Sequence, residues 1–276
     1  LRARSGKAGT GVRVVLGADR VADAPPANGL VASGRAPSLD TLDWAVLSRA
    51  GDGGSGGLPL QRIDVTAAHM QLLGADFRNT RVQASPAAGG ATAIQFDGDN
   101  LAGTLTIPRD DGAAIAGKLQ RFWWRGGVAA TPANGVKNPG DDIDPGKVPP
   151  LNLAFDDLRI GDAKLGSAMV RTQQAPGALK LVQFQSRAAK QKLDASGEWS
   201  GRGAAARSRV DLHLASEDFG AFLDGFGFGG QLARGEGQAR LQATWPGSPM
   251  GLKLAAFDGT LHIDARDGQL TEVEPG

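Results

Sequence analysis

The residues able to do chemistry are few and scattered. His69, His213 and His262 are the three imidazoles of the chain. Acid–base or nucleophilic catalysis needs a base within hydrogen-bond reach of the group it activates, and an orienting acid behind it. These histidines lie far apart in the sequence, and two of them fall on the polar side of alternating segments. No His-Glu-x-x-His pair and no Gly-x-Ser-x-Gly elbow is present. There is no cysteine, which excludes disulfides, thiolate metal ligands and thiol nucleophiles. Asp141, Asp142 and Asp144 have the look of a calcium loop, but the central glycine and the distant glutamate in register are missing. A solvated acidic loop is the better reading. The run Gly51-Asp52-Gly53-Gly54-Ser55-Gly56-Gly57 lacks the Gly-Lys-Ser/Thr ending of a phosphate loop and precedes a strand pattern, so it is expected to be a flexible connection. Glu217 and Asp218 stand at a helix start, where the helix dipole explains them. The two carboxylates of a glycosidase need no local motif, but nothing here singles out such a pair. The expectation is no catalytic residue, no metal and no cofactor.

Charge points away from nucleic acid: Lys plus Arg is 30 and Asp plus Glu is 29. The local run Arg202, Arg207 and Arg209 reads as a solvated strand entry. The segment Arg121-Phe122-Trp123-Trp124-Arg125 is the most aromatic point of its strand. Burial in the core or in a belt at the sheet end is favoured there over contact with a sugar or lipid headgroup.

The elements that must position all of this are strands. Ala239, Leu241 and Ala243 alternate with Arg240 and Gln242, and Leu261 and Ile263 alternate with His262 and Asp264. A period of two puts one set on each face of a strand. Trp245-Pro246-Gly247 and Asp267-Gly268 supply turns. The same pattern recurs at Val12 to Leu16, Leu30 to Arg35, Leu60 to Val65, Phe77 to Ala84, Ile94 to Phe96, Leu101 to Ile107 and Ile115 to Trp124. Glycine at 41 residues favours many turns, and aromatics at 5 % with no tyrosine leave the interior to Ala, Val, Leu and Ile. Packing is therefore expected to be thin.

Two helices interrupt the strands. One is expected over 38–50, with Ser38 as cap, Asp40 and Asp43 in its first turns, and Leu39, Leu42, Val46 and Leu47 on one stripe. The other is expected over 217–226, with Ser216 as cap and Phe219, Phe222, Leu223 and Phe226 on one stripe. Residues 126–150, rich in Gly, Pro, Asn and Asp, read as a flexible linker. After it the pattern restarts: Leu72-Leu73-Gly74 lines up with Arg159-Ile160-Gly161, and Val82 with Val170. The expected organisation is a first β-repeat half over 1–125, the linker, and a second half over 151–276. No apolar run is long enough to cross a membrane. With no initiator methionine, the chain reads as a segment of a longer protein.

Three stretches carry a family resemblance: Leu193-Asp194-Ala195-Ser196-Gly197-Glu198-Trp199, Ser216-Glu217-Asp218-Phe219-Gly220-Ala221-Phe222-Leu223, and Phe257-Asp258-Gly259 through Asp267-Gly268-Gln269-Leu270. Gly235-Glu236-Gly237 and Trp245-Pro246-Gly247 fall between them in matching order. In these stretches the chain resembles the AsmA-like superfamily, most closely its YhdP type, over 151–276 and more loosely before 126. The resemblance implies a mainly β fold, a repetitive antiparallel sheet curled into an elongated groove with an oily interior. It also implies a segment of a periplasmic protein held in the bacterial inner membrane by an anchor outside this chain. Such proteins are implicated in moving phospholipid towards the outer membrane. The implied partners are phospholipid acyl chains and the remaining segments of the same long chain, with no nucleic acid.

An acyl chain needs a continuous apolar trough, and alternation along many strands supplies one. The candidate lining is Leu101, Leu105, Leu193, Val210, Leu212, Leu214, Leu241, Leu261 and Ile263. Phe219, Phe222 and Phe226 are candidates to plug one end or to cover the sheet edge. The competing readings of the same aliphatics are a closed sandwich core and a structural or docking module of the cell envelope with no conduit.

Overall fold

The structure is a computed structural model that describes residues 1–6, 9–18, 20–40, 58–72, 75–125, 143–225, 232–249 and 257–270. The chain divides into two units, Leu1–Asp110 and Asp111–Gly276. The first holds β1 (Arg2–Gly6), β2 (Gly9–Leu16), β3 (Gly29–Asp40), β4 (Leu60–Leu72), β5 (Ala75–Pro86), β6 (Thr92–Asp97) and β7 (Leu101–Ile107). The second holds β8 (Ile115–Trp124), β9 (Leu151–Ile160), β10 (Ala163–Ala175), β11 (Ala178–Ala188), β12 (Gln191–Ser200), β13 (Arg207–Ser216), α1 (Phe219–Gly225), β14 (Leu232–Pro246) and β15 (Asp258–Leu270). The fold is mainly β, as the alternation predicts. The division groups β8 with the second unit, whereas the sequence reading sets it in the first half.

Within each unit the strands lie side by side in sequence order. Most neighbours are antiparallel, but β2/β3, β3/β4 and β8/β9 are parallel. The expected antiparallel sheet thus carries three parallel pairings, which make it mixed. Parallel neighbours require the chain to return to its starting end before it pairs again. The connections that do so span 17–28, 41–59 and 125–150. The first contains the Pro25-Pro26 stretch; the glycine run 51–57 and residues 126–142 of the low-complexity segment lie outside the described residues.

The last part of the low-complexity stretch is packed. Pro145–Lys147 forms a 3₁₀ turn with Pro145 buried, and Val148 O accepts from Gln174 Nε2 at 2.9 Å. The turn packs against β10, β11 and β12. Asp144 caps it, its carboxylate accepting the Gly146 N–H at 3.0 Å, so this acid has a local structural role.

The predicted helix over 38–50 does not begin at Ser38, because Ser38, Leu39 and Asp40 end strand β3. Ser38 pairs with His69 and Leu39 with Met70, and these tertiary pairings override the local capping signal. Residues 41–50 lie outside the described residues. The second helix is present as α1, two residues later than predicted. Ser216 remains in β13, where its hydroxyl accepts the Asp218 N–H at 3.1 Å. Asp218 is the cap, accepting the Ala221 N–H at 3.0 Å. Gly225 ends the described helix against β10: a Cβ there would sit 2.7 Å from Ala163 Cα, and Gly225 O accepts the Asp162 N–H at 3.2 Å.

Candidate functional site

Cross-strand register arranges the aliphatic side chains of the second unit into rows that cross its strands. One row runs Leu119–Phe155–Ala168–Ser186–Leu193–Leu214–Ala239–Ile263, from β8 to β15. The next runs Gly117–Leu153–Val170–Phe184–Ala195–Leu212–Leu241–Leu261 over the same eight strands. A third contains Ile115 and Leu151, then Thr172–Leu181–Gly197–Val210–Ala243–Gly259. Its two parts meet where the Leu151 N–H donates to Thr172 Oγ1 at 2.8 Å. A fourth, Leu179–Trp199–Ser208–Trp245, lies beyond it on β11 to β14. No Asp, Glu, Lys, Arg or His occupies any of these rows.

Burial across the rows is uneven. The first row is shielded where α1 lies on it: Leu193, Leu214, Ala239 and Phe219 form one buried cluster, with Phe222, Phe184 and Leu212 packed at its margin. The fourth row is also buried, at Trp199, Ser208 and Trp245. The rows between are half-buried at Leu153, Val170, Phe184, Ala195, Leu212, Leu241, Leu181 and Val210, with Ala243 of the third row buried. A closed sandwich core is driest at its centre. This face is buried at both borders and accessible along its middle. At β15 the rows run out into solvent, with Leu261 62 % and Ile263 48 % exposed.

The first unit has rows of its own. Val14–Ala32–Ile63–Ala84–Ile94–Leu105 is one, and Leu16–Gly34–Val65–Val82–Phe96–Gly103 is the next. Packing here is fuller: Val65, Ala67, Met70, Phe77 and Leu101 are buried. Leu105 is half-buried.

A family model described as YhdP protein matches residues 2–276. The chain belongs to the YhdP family. No curated protein and no solved structure matches it.

In this YhdP-family chain, seven of the residues singled out from the sequence share the apolar face of the second unit. Leu193, Leu214 and Ile263 stand in the first row, Leu212, Leu241 and Leu261 in the second, and Val210 in the third. Leu101 and Leu105 belong to the first unit. Phe219 and Phe222 lie over the first row at the strand ends, and Phe226 lies outside the described residues. The sequence reading missed Phe184, because β11 slips register between Leu181 and Phe184 and the alternation breaks there. It also missed Trp199 and Trp245, whose alternation with Glu198 and Thr244 carried the signal.

Each unit also carries polar side chains tied by ion pairs, Asp64 with Arg81 in the first and Asp157 with Arg159 in the second. Arg81 holds Asp64 through two hydrogen bonds of 2.7 and 2.8 Å, and these keep the Asp64 carboxyl below its usual range. Partial burial opposes the shift and Gln83 adds to it. At Asp157 burial pushes the carboxyl up, but hydrogen bonds from Arg159 and Trp123 outweigh it and the net shift is downward. Arg159 stacks on the Trp123 ring at 3.9 Å, so this indole of the aromatic segment is held within its own sheet.

A shallow depression on β11 to β13 brings Ser196, His213, Asp194 and Asp211 near one another. Arg187 takes Asp194 at 2.9 Å, and Arg209 stands 3.7 Å from Asp211. Among the described residues no hydrogen bond joins His213 to these groups, and no cluster of three or more His, Asp or Glu residues could hold a metal. No helix among the described residues is long and apolar enough to cross a membrane.

Proposed function

We propose that the uncharged face of the second unit carries phospholipid acyl chains, within a periplasmic protein that conducts phospholipid towards the outer membrane. The observation that supports this most directly is the burial profile, with accessible aliphatic rows between two buried borders. Seven strand spacings of about 4.8 Å make each eight-strand row about 34 Å long. That exceeds the roughly 15 Å depth of one leaflet's hydrocarbon, half of a core about 30 Å thick. An acyl chain fits along such a row with length to spare.

Each methylene removed from water contributes about 0.8 kcal/mol. A chain resting on an open face is covered on one side only, so it gains about half of that per methylene. A charge-free row offers no cation to hold a phosphate, and the headgroup stays towards water. Contact of this kind is continuous and unselective along the row, which suits sliding better than tight capture. Membership of the YhdP family supports a lipid-transport role of this class. The reading assigns no reaction, cofactor or nucleic-acid partner to the chain, and it takes the inner-membrane anchor and the other segments of the path to lie elsewhere in the protein.

The test is native mass spectrometry and lipid extraction of the chain purified from a bacterial host. Co-purifying phospholipid is the expected result. A folded, lipid-free chain that also takes up no added lipid would favour a scaffold of the cell envelope.

A further inference from the structure

The accessible band on the apolar face changes width along the second unit. On β12, Leu193 and Trp199 are buried, and Ala195 and Gly197 between them are half-buried. On β13, Leu214 and Ser208 are buried, and Leu212 and Val210 between them are half-buried. On β14, Ala239, Ala243 and Trp245 are all buried, and only Leu241 among them stays half-buried. Two positions abreast are thus open on β12 and β13, and one on β14.

Each border has a cause in the packing. Phe219 of α1 clusters with Leu193, Leu214 and Ala239, and the helix rests on β14 and β10. At the other border the turn after β14 folds back on the sheet. Gly247 N–H donates to Ala206 O at 2.8 Å, Ser208 Oγ donates to Gly247 O at 2.9 Å, and Trp245 Nε1 donates to Ser248 O at 3.2 Å. The first and fourth rows stand six residues apart on a strand, as Leu193 and Trp199 do, which is about 20 Å. A helix reaches about 5 Å from its axis, and a packed turn takes a similar share, so about 10 Å stays open. Carbon atoms in contact lie about 4 Å apart, so two acyl chains fit side by side. On β14 the buried Ala239 and Ala243 stand four residues apart, about 14 Å. The same allowance leaves about 4 Å there, the width of one chain.

We infer that β14 is the selectivity neck of this face: β12 and β13 seat two acyl chains side by side, and β14 passes one chain at a time over Leu241. This rests on the acyl-chain reading above and goes further, because it sets how many chains the face takes and which residues set that number. One chain lies along the second row and the other along the third. The second row runs on past the neck to Leu261 on β15, whereas the third is closed at Ala243. Val210 therefore floors the lane that ends, and Leu241 the lane that continues. A lipid with two chains crosses β14 with one chain leading and the other following.

The experiment counts lipids on the purified chain by native mass spectrometry, using palmitoyl lysophosphatidylcholine with one acyl chain and dipalmitoyl phosphatidylcholine with two. Wild type is expected to hold two molecules of the first or one of the second. Val210→Trp fills the third row. It should hold one single-chain molecule at unchanged affinity and bind the two-chain lipid roughly tenfold or more weakly, because one tail is left in water. A structural defect would weaken both lipids together, so the split reads the seat. Leu241→Trp fills the neck and should leave both counts as in wild type. A two-chain lipid with a photoreactive group at its chain end should label β15 in wild type and fail to do so in Leu241→Trp. A wild-type count of one single-chain molecule, or of three or more, overturns the seat while leaving the acyl-chain reading intact, and it decides even if a variant fails to fold. Unchanged counts or equal weakening of both lipids in a folded Val210→Trp also overturns the seat. Labelling of β15 retained in Leu241→Trp overturns the neck. Binding of neither lipid by wild type overturns the acyl-chain reading as well.

Discussion

Leu212→Asp separates an open apolar face from a closed core. Leu212 is half-buried between Ala195 and Leu241 in the second row and touches the margin of the cluster under α1. Full burial of a leucine side chain is worth about 1.5–3 kcal/mol, so a half-buried one contributes about 1 kcal/mol. A carboxylate at this position keeps water on its open side and pays only part of its desolvation. The expected loss of stability is about 2 kcal/mol, read from urea unfolding. The same change in a dry core leaves an unpaired buried charge, and losses above about 4 kcal/mol or outright unfolding are then the rule. Lipid content of the same preparation, by native mass spectrometry, is the second readout. The expected variant is folded and depleted of phospholipid. A loss above about 4 kcal/mol would show that Leu212 sits in a closed interior. A folded variant with its full lipid complement would show that no acyl chain crosses the second row. Leu261→Asp, at a position 62 % exposed, serves as the reference and should cost less than about 1 kcal/mol by the same assay.

Three further outcomes follow from the packing and the ion pairs. Gly225→Ala puts a methyl group 2.7 Å from Ala163 Cα, and should weaken the seat of α1 on β10 by about 1–3 kcal/mol, seen as faster amide exchange over 219–225. Trp245→Ala removes a buried indole that packs on Phe257 at 5.2 Å between ring centres, and should destabilise the second unit by about 3 kcal/mol or more in urea unfolding. Asp64 has a folded-state pKa below its unfolded value of about 3.9. Its contribution to stability is present above that value and is lost as pH falls through the lower folded one. Between pH 5.5 and 3, wild type should therefore lose stability more steeply than Arg81→Ala. Parallel pH slopes for the two proteins would contradict the pairing.

The sequence by itself determined the strands, their two faces and the absence of charge from one of them. Alternation is a local property, because successive side chains on an extended backbone must point opposite ways. That is why Leu212 and Leu214 read correctly against Asp211 and His213 with no knowledge of their neighbours. Only the tertiary structure decided which strand lies beside which and in what direction. The parallel pairing of β3 with β4 turned a plausible helix start at Ser38 into a strand end, because the pairings of Ser38 with His69 and Leu39 with Met70 outweigh a capping preference. Register then decided that residues from eight strands form continuous rows. The slip between Leu181 and Phe184 shows why alternation could not find every member, since one irregularity moves the side chains that follow it to the other face. Burial was the last thing left open. Leu193 and Leu241 are equally apolar in sequence, yet α1 covers one and leaves the other half in water, and only packing across distant residues makes that difference.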